Sequence, residues 1–291
     1  MLNDIINNKN INLIYIFTTN FTILFAKKLR DYLKKYKIRC VIYDNYYKSL
    51  ENKCIKDENL FFIFIGTTLL YNNNVDYLPY KKYIIYQIEQ LNQSLYYYHY
   101  IDDNMINLIN NSLDIYDYSL VNLNYYPKNI NKNIKLFIPF IPFNNNINEI
   151  NHINQETNNN LEKNIIFLGS LNNRRRELLN KIKLFIFSQN LKINLIIFDK
   201  LFDSKLLNTL NTYSNNDNNI ILNLHYYDNA ILEVFRFEDI IPYNIKILSE
   251  KPGTIMENDL IKLYSEYVEF FPVINPDLNN IDELYYLITN I

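Results

Sequence analysis

Ile165-Ile166-Phe167-Leu168-Gly169-Ser170-Leu171-Asn172-Asn173-Arg174-Arg175-Arg176-Glu177 reads as a strand, a turn and the start of a helix in succession. The apolar run does not alternate with polar residues, which is the pattern of a strand buried on both faces in a parallel sheet. Gly169 ends the run and allows the backbone to turn tightly and come close to a ligand. Asn172 or Asn173 can cap the helix that follows, expected over 174–187. A glycine turn between a buried strand and a capped helix lies at the carboxyl edge of the sheet, where α/β proteins place their ligands and where a helix N-terminus favours anions.

The same rhythm continues on both sides of this segment. Towards the C-terminus, strands are expected at 193–198, 220–224, 245–248 and 268–271, with helices at 204–213, 231–241 and 282–288. Strands separated by helices make a doubly wound α/β domain over 161–291. Towards the N-terminus lies an Asn-rich stretch, 144–160, which holds His152 and follows Pro139 and Pro142; it reads as a linker. Before it, strands at 12–17, 39–43, 60–65, 83–88, 113–116 and 135–138 and helices at 21–36 and 94–110 make another α/β domain over 1–143. Leu24, Phe25, Leu29 and Leu33 fall at helical spacing within it. The expected architecture is two doubly wound, Rossmann-like domains facing one another across a cleft, where ligands commonly bind.

Composition narrows the function classes. The 291 residues suffice for two cores, and 48% hydrophobic with 15% aromatic residues excludes disorder of the whole chain. A net charge of -2 and a pI near 6.0 give no electrostatic reason for nucleic acid or an anionic membrane as partner. Asn, Ile, Tyr and Lys are abundant, Gly occurs three times and Trp never, a bias typical of AT-rich coding that leaves Asn runs little weight as a signal. Cys40 and Cys54 form neither a disulfide framework nor a metal-ligand spacing, so a reducing, cytoplasmic location is expected. The first ten residues lack the basic flank of a signal peptide, and no run reaches the roughly 18–20 apolar residues of a membrane span. Neither GxGxxG nor GxxxxGK occurs, nor a DxD triplet, nor a Gly-x-Ser-x-Gly elbow. His99, His152 and His225 are too scattered for a zinc site, and no metal or cofactor is expected.

Three arginines in a first helical turn oppose the helix dipole. They make sense if Arg174 or Arg175 faces a phosphate, which guanidinium binds bidentately; the plainer alternative is one packed and two solvated side chains. In the segment 222–238 a strand delivers His225, Tyr226 and Tyr227 to the sheet edge, and a helix starts near Ala230. Ile231, Leu232, Val234, Phe235 and Phe237 make that helix apolar almost all round. Glu233, Arg236 and Glu238 on it therefore require partners or a ligand, unless Glu233 and Arg236 simply pair at i,i+3. In the first domain Glu89 and Asp117 each follow a strand. Either could deprotonate an acceptor hydroxyl, or cap local structure, Asp117 through Ser119.

These pieces together resemble the donor domain of GT-B-fold glycosyltransferases. The likeness rests on Gly169-Ser170 with its arginine run, on Asn223-Leu224-His225-Tyr226-Tyr227 leading to Leu232-Glu233 and Arg236-Phe237-Glu238, and on Lys246-Ile247-Leu248-Ser249-Glu250. It extends to Ile84-Ile85-Tyr86-Gln87-Ile88-Glu89-Gln90-Leu91, Asp114-Ile115-Tyr116-Asp117-Tyr118-Ser119 and Ile138-Pro139-Phe140-Ile141-Pro142, covering most of 83–143 and 164–250. The resemblance implies metal-independent transfer of a sugar from a nucleotide-sugar donor to a glycan or protein hydroxyl. Arg174 and Arg175 would hold the diphosphate beside Gly169, Glu238 the ribose, Glu233, Arg236, His225 and Tyr226 the rest of the donor, and Glu89 or Asp117 would act as base. Where many retaining members carry a second glutamate, eight positions before Glu238, this chain has Ala230. A non-catalytic nucleotide- or sugar-binding relative and another nucleotide-dependent α/β enzyme, such as an epimerase, are the alternatives.

Overall fold

Two parallel sheets organise the chain, each belonging to one of two units, Met1–Ile141 and Pro142–Ile291. The computed structural model describes residues 11, 13–43, 60–66, 82–91, 101–137, 163–274 and 281–290. In the first unit the strands are β1 (Leu13–Phe17), β2 (Arg39–Tyr43), β3 (Leu60–Ile65), β4 (Lys82–Gln87), β5 (Asp114–Asp117) and β6 (Ile134–Leu136), in the order β2-β1-β3-β4-β5-β6 with every pairing parallel. Alternation along a strand sends successive side chains to opposite faces. Tyr15 and Phe17 of β1 thus lie in register with Phe62 and Phe64 of β3, and Phe17 with Tyr43 of β2. Their rings stack with centroids 5.1–5.9 Å apart. Met105, Ile106 and Ile109 of helix α2 (Asp103–Asn111) cover this aromatic face. Helix α1 (Ile23–Lys34) covers the other, where Phe25 meets Tyr86 edge-on at 5.8 Å.

The second unit contains β7 (Lys163–Leu168), β8 (Ile193–Phe198), β9 (Asn219–Asn223), β10 (Lys246–Glu250) and β11 (Val268–Phe271), again all parallel, in the order β11-β10-β9-β7-β8. The chain builds outward from β7 first to one side and then to the other, so the gap between the ends of β7 and β9 is the topological switch point. Helices α3 (Asn173–Ser188) and α7 (Asp282–Thr289) pack on the face formed by Ile165, Phe167, Ile220, Leu222 and Phe271, and Phe185 stacks on Tyr285 at 3.9 Å. The opposite face carries α5 (Val234–Ile240) and α6 (Asn258–Tyr264), joined through Phe237, whose ring meets Phe270 and Tyr264. Helix α4 (Asp203–Tyr213) follows β8 and touches it through Tyr213 and Phe198.

The α/β character and the parallel sheets agree with the sequence expectation, and four strands (β2, β3, β8 and β11) coincide with it residue for residue. One helix does not. The element expected over 231–241 begins only at Val234, because the preceding residues are captured by another loop: Ala230 O accepts from Gly253 N at 3.0 Å and Leu232 N donates to Glu257 Oε2 at 2.6 Å. Helix α6 was not anticipated, being too short to show a period. The expected linker 144–160 and the first part of the helix expected over 94–110 lie outside the described residues. Among the described residues no helix is long and apolar enough to cross a membrane.

Phe62 is fully buried between the rings of Tyr15 and Phe17. Phe62→Ala should cost about 3–5 kcal/mol through lost burial and the cavity left behind, read as a lower midpoint in equilibrium urea denaturation.

Candidate functional site

Charged side chains collect at the carboxyl edge of the second sheet, around the switch point. The turn after β7 opens with Gly169 at φ +155°, and a β-carbon there would lie 3.3 Å from both Arg175 Nη1 and Arg236 Nη2. The bare backbone is what lets two guanidinium groups close over the turn. Asn172 caps α3 by accepting from Arg175 N at 2.9 Å, which fixes the direction of the first helical turn and of the arginines it carries.

Arg174 is consumed by the protein. Its Nε donates to Asp228 Oδ1 (2.9 Å), Nη1 to His225 O (2.9 Å) and Glu250 Oε2 (3.0 Å), and Nη2 to Glu250 Oε1 (2.6 Å) and Ile274 O (2.7 Å). All five donors of the guanidinium are in use, so none is left for a phosphate. Glu250, fully buried at the end of β10, also accepts from the main-chain N–H groups of His225 and Ile274. The sequence left Arg174 open to a phosphate or to packing; the structure packs it against carboxylates of its own chain.

Arg175 points to the other side of the turn. Nε donates to Leu224 O (2.9 Å), Nη1 to Ser170 O (2.9 Å) and Nη2 to Glu233 Oε1 (3.0 Å), while its guanidinium lies over the rings of Phe167 and Tyr226 at 5.5 and 5.2 Å. Burial, opposed by Glu233 and reinforced by the like charge of Arg236, lowers its pKa to about 10, so it is cationic at neutral pH. Burial alone would raise the pKa of Glu233, but Arg236 and Arg175 beside it hold it below the ordinary carboxylate value. Arg236 Nη1 contacts Glu233 Oε2 at 2.9 Å and donates to Asn223 Oδ1 at 2.6 Å. Its Nε and Nη2 have no hydrogen-bond partner among the described residues. Two guanidinium cations thus share one carboxylate beside Gly169 and the N-terminus of a 16-residue helix, while Arg174 shares the two carboxylates of Glu250 and Asp228, so the arginines and carboxylates of the edge balance. The side of the turn that carries Arg175 and Arg236 is the side suited to an anion.

The structure therefore gathers Gly169, Arg174, Arg175, His225, Tyr226, Glu233 and Arg236 at one edge. Glu238 has a different environment: only 6% exposed on α5, it accepts from Tyr264 Oη of α6 at 2.7 Å and joins those two helices. Glu233 sits just ahead of α5 rather than within it, which follows from the late start of that helix. Sequence reasoning left Asn223, Asp228 and Glu250 out of the site. Glu250 had a usable signal, an acidic residue at the end of an apolar strand in a chain whose buried arginines required opposite charge.

In the first unit Asp117 is fully buried at the end of β5 and accepts from Ser119 N (2.9 Å), Asn122 Nδ2 (3.1 and 3.2 Å) and Tyr126 Oη (2.9 Å). Burial raises its pKa to about 7 despite these hydrogen bonds. Asn122, which the sequence did not single out, also donates to Glu89 O at 2.9 Å and accepts from Leu91 N at 2.9 Å, tying the loop after β4 to the one after β5. Glu89 itself is partly exposed.

No protein-family model matches the chain, and no curated protein matches it. Among the described residues no group of three or more His, Cys, Asp or Glu is placed to hold a metal ion.

Two outcomes follow from this geometry. Arg174→Ala leaves Glu250 buried and unpaired and should cost about 3–5 kcal/mol in chemical denaturation. Asp117 binds its proton more tightly folded than unfolded, so its contribution to stability is complete below about pH 4 and is lost as pH rises through about 7. The side-chain carboxyl carbon of Asp117 should accordingly titrate with a midpoint near 7 in 13C NMR.

Proposed function

We propose that the second unit binds the diphosphate of a nucleotide sugar at the switch point between β7 and β9, and that the chain is a metal-independent glycosyltransferase acting on a glycan or protein hydroxyl. The observation that carries the reading is the edge of Arg236, unpartnered among the described residues, beside Gly169 and the first turn of α3, where Arg175 and Arg236 share one carboxylate. Transfer of a sugar builds negative charge on the departing diphosphate. Preorganised guanidinium and main-chain donors stabilise such charge without a metal. In this reading Arg236 meets the diphosphate, Arg175 backs it from beneath, and Tyr226 offers a partly exposed aromatic face to the rest of the donor. Arg174 and Glu250 position the edge without touching ligand.

A non-catalytic nucleotide-binding protein is the second reading. It is favoured by the engagement of Glu233 with two arginines, which leaves that carboxylate committed to holding the cations rather than to proton transfer. Donor binding with no turnover on acceptors or water would select it.

Thermal melting against a panel of nucleoside diphosphates and nucleotide sugars tests both. One nucleotide class should raise the midpoint, by the equivalent of about 2.7 kcal/mol at 100 times the dissociation constant. Arg236→Ala should weaken that ligand on the order of ten- to a hundredfold, the loss expected for charge-assisted hydrogen bonds, each shift being read from the variant's own ligand-free midpoint. A folded wild-type protein that responds to none of the panel sinks the proposal.

A further inference from the structure

His225 is clamped by its main chain and vacant in its ring. Its N–H donates to Glu250 and its carbonyl accepts from Arg174 Nη1, and the residue is fully buried. Yet Nδ1 and Nε2, both buried, have no hydrogen-bond partner among the described residues. Burial lowers the imidazole pKa, with Arg174 and Arg175 acting in the same direction against Glu250 and Glu233, so the ring is neutral and carries one donor and one acceptor. Leaving both unmade in a buried place costs stability that an apolar side chain of similar size would not incur. The charged neighbours offer no relief. Glu250 is committed to Arg174, and Glu233 to Arg175 and Arg236.

We propose that His225 is the residue of the switch-point site that reads an uncharged polar group of the ligand, a hydroxyl or an amide, on the same molecule whose anionic end Arg236 holds. The inference rests on the anion-binding reading of this site and adds to it the chemistry of the ligand's other part. A sugar, a ribose or a base supplies such groups, and a bare phosphate does not. A ligand that carries the polar group completes the hydrogen bonds of the ring, and a ligand without it leaves them unmade. Selectivity built on that difference is far stronger than selectivity built on apolar fit.

Calorimetric titration of wild type, His225→Phe and His225→Gln with four probes tests this: pyrophosphate, glucose 1-phosphate, and panels of nucleoside diphosphates and nucleotide sugars. The expected result is a selective loss. His225→Phe keeps pyrophosphate affinity within about twofold and loses about tenfold or more for the probe that wild type binds best, with His225→Gln between the two because its amide restores part of the hydrogen bonding. If His225→Phe does not fold, the same comparison is read on His225→Gln. Equal affinities of wild type and variants for every probe overturn the role of His225 and leave the glycosyltransferase reading intact. So does a loss for pyrophosphate as large as for the other probes, which marks general damage to the site. Wild-type binding of glucose 1-phosphate but of no nucleotide removes the glycosyltransferase reading, while the selective loss still decides for His225. A wild type that binds pyrophosphate alone, or nothing, overturns both.

Discussion

The forked pair of Arg174 and Glu250 ties together four stretches of chain: the first turn of α3, the end of β10, His225 in the loop beyond β9 and the segment leaving β11. A buried ion pair is expensive to desolvate, and it is tolerated only when the remaining lone pairs and protons are also satisfied. Here they are, by Asp228, by two carbonyls and by two main-chain N–H groups. The sheet supplies the strands in register, but the pair sets where the loops beyond them stand. A carboxyl edge built only from loops would be free to drift; this one is pinned from inside.

Once Arg174 is neutralised, the electrostatics of the edge are decided one residue later. Consecutive residues in the first turn of a helix diverge by roughly a quarter turn or more, so Arg175 emerges on the other side of the Gly169 turn and reaches Glu233. Glu233 is also claimed by Arg236, so two cations share one carboxylate on this side of the turn, whereas Arg174 shares two on the other. The same two adjacent arginines therefore do opposite things. One is held between two carboxylates and sets the geometry, and the other shares a single carboxylate with a second cation.

Much of the fold was legible because buried parallel strands carry their signature locally. Residues 60–65 and 193–198 read as strands from the run alone, and Gly169 with Asn172 announced a strand-to-helix turn that the structure contains. What was illegible came from partners distant in sequence. The start of α5 depends on Gly253 and Glu257, each more than twenty residues beyond the backbone groups they capture. The burial of Arg174 depends on Glu250, 76 positions away, so its guanidinium was open to any anion until the strands were placed side by side. Glu238 illustrates a third limit: a helical residue can be assigned to a site from its neighbours in sequence and still turn to Tyr264 on an adjacent helix. Asn122 was silent because its amide acts only through loops that follow different strands.

Lysine dominates the basic residues of this chain: only six of the 29 are arginine. Three of those six stand at the switch-point edge, and two of them, Arg174 and Arg175, make contacts through three nitrogens each that a single ammonium group cannot reproduce. Lysine has three donors radiating from one atom, whereas Arg174 reaches five acceptors spread across a plane. A lysine at 174 would reach at most three of those five acceptors, so flat, forked geometry is what the rarer basic residue supplies at this edge.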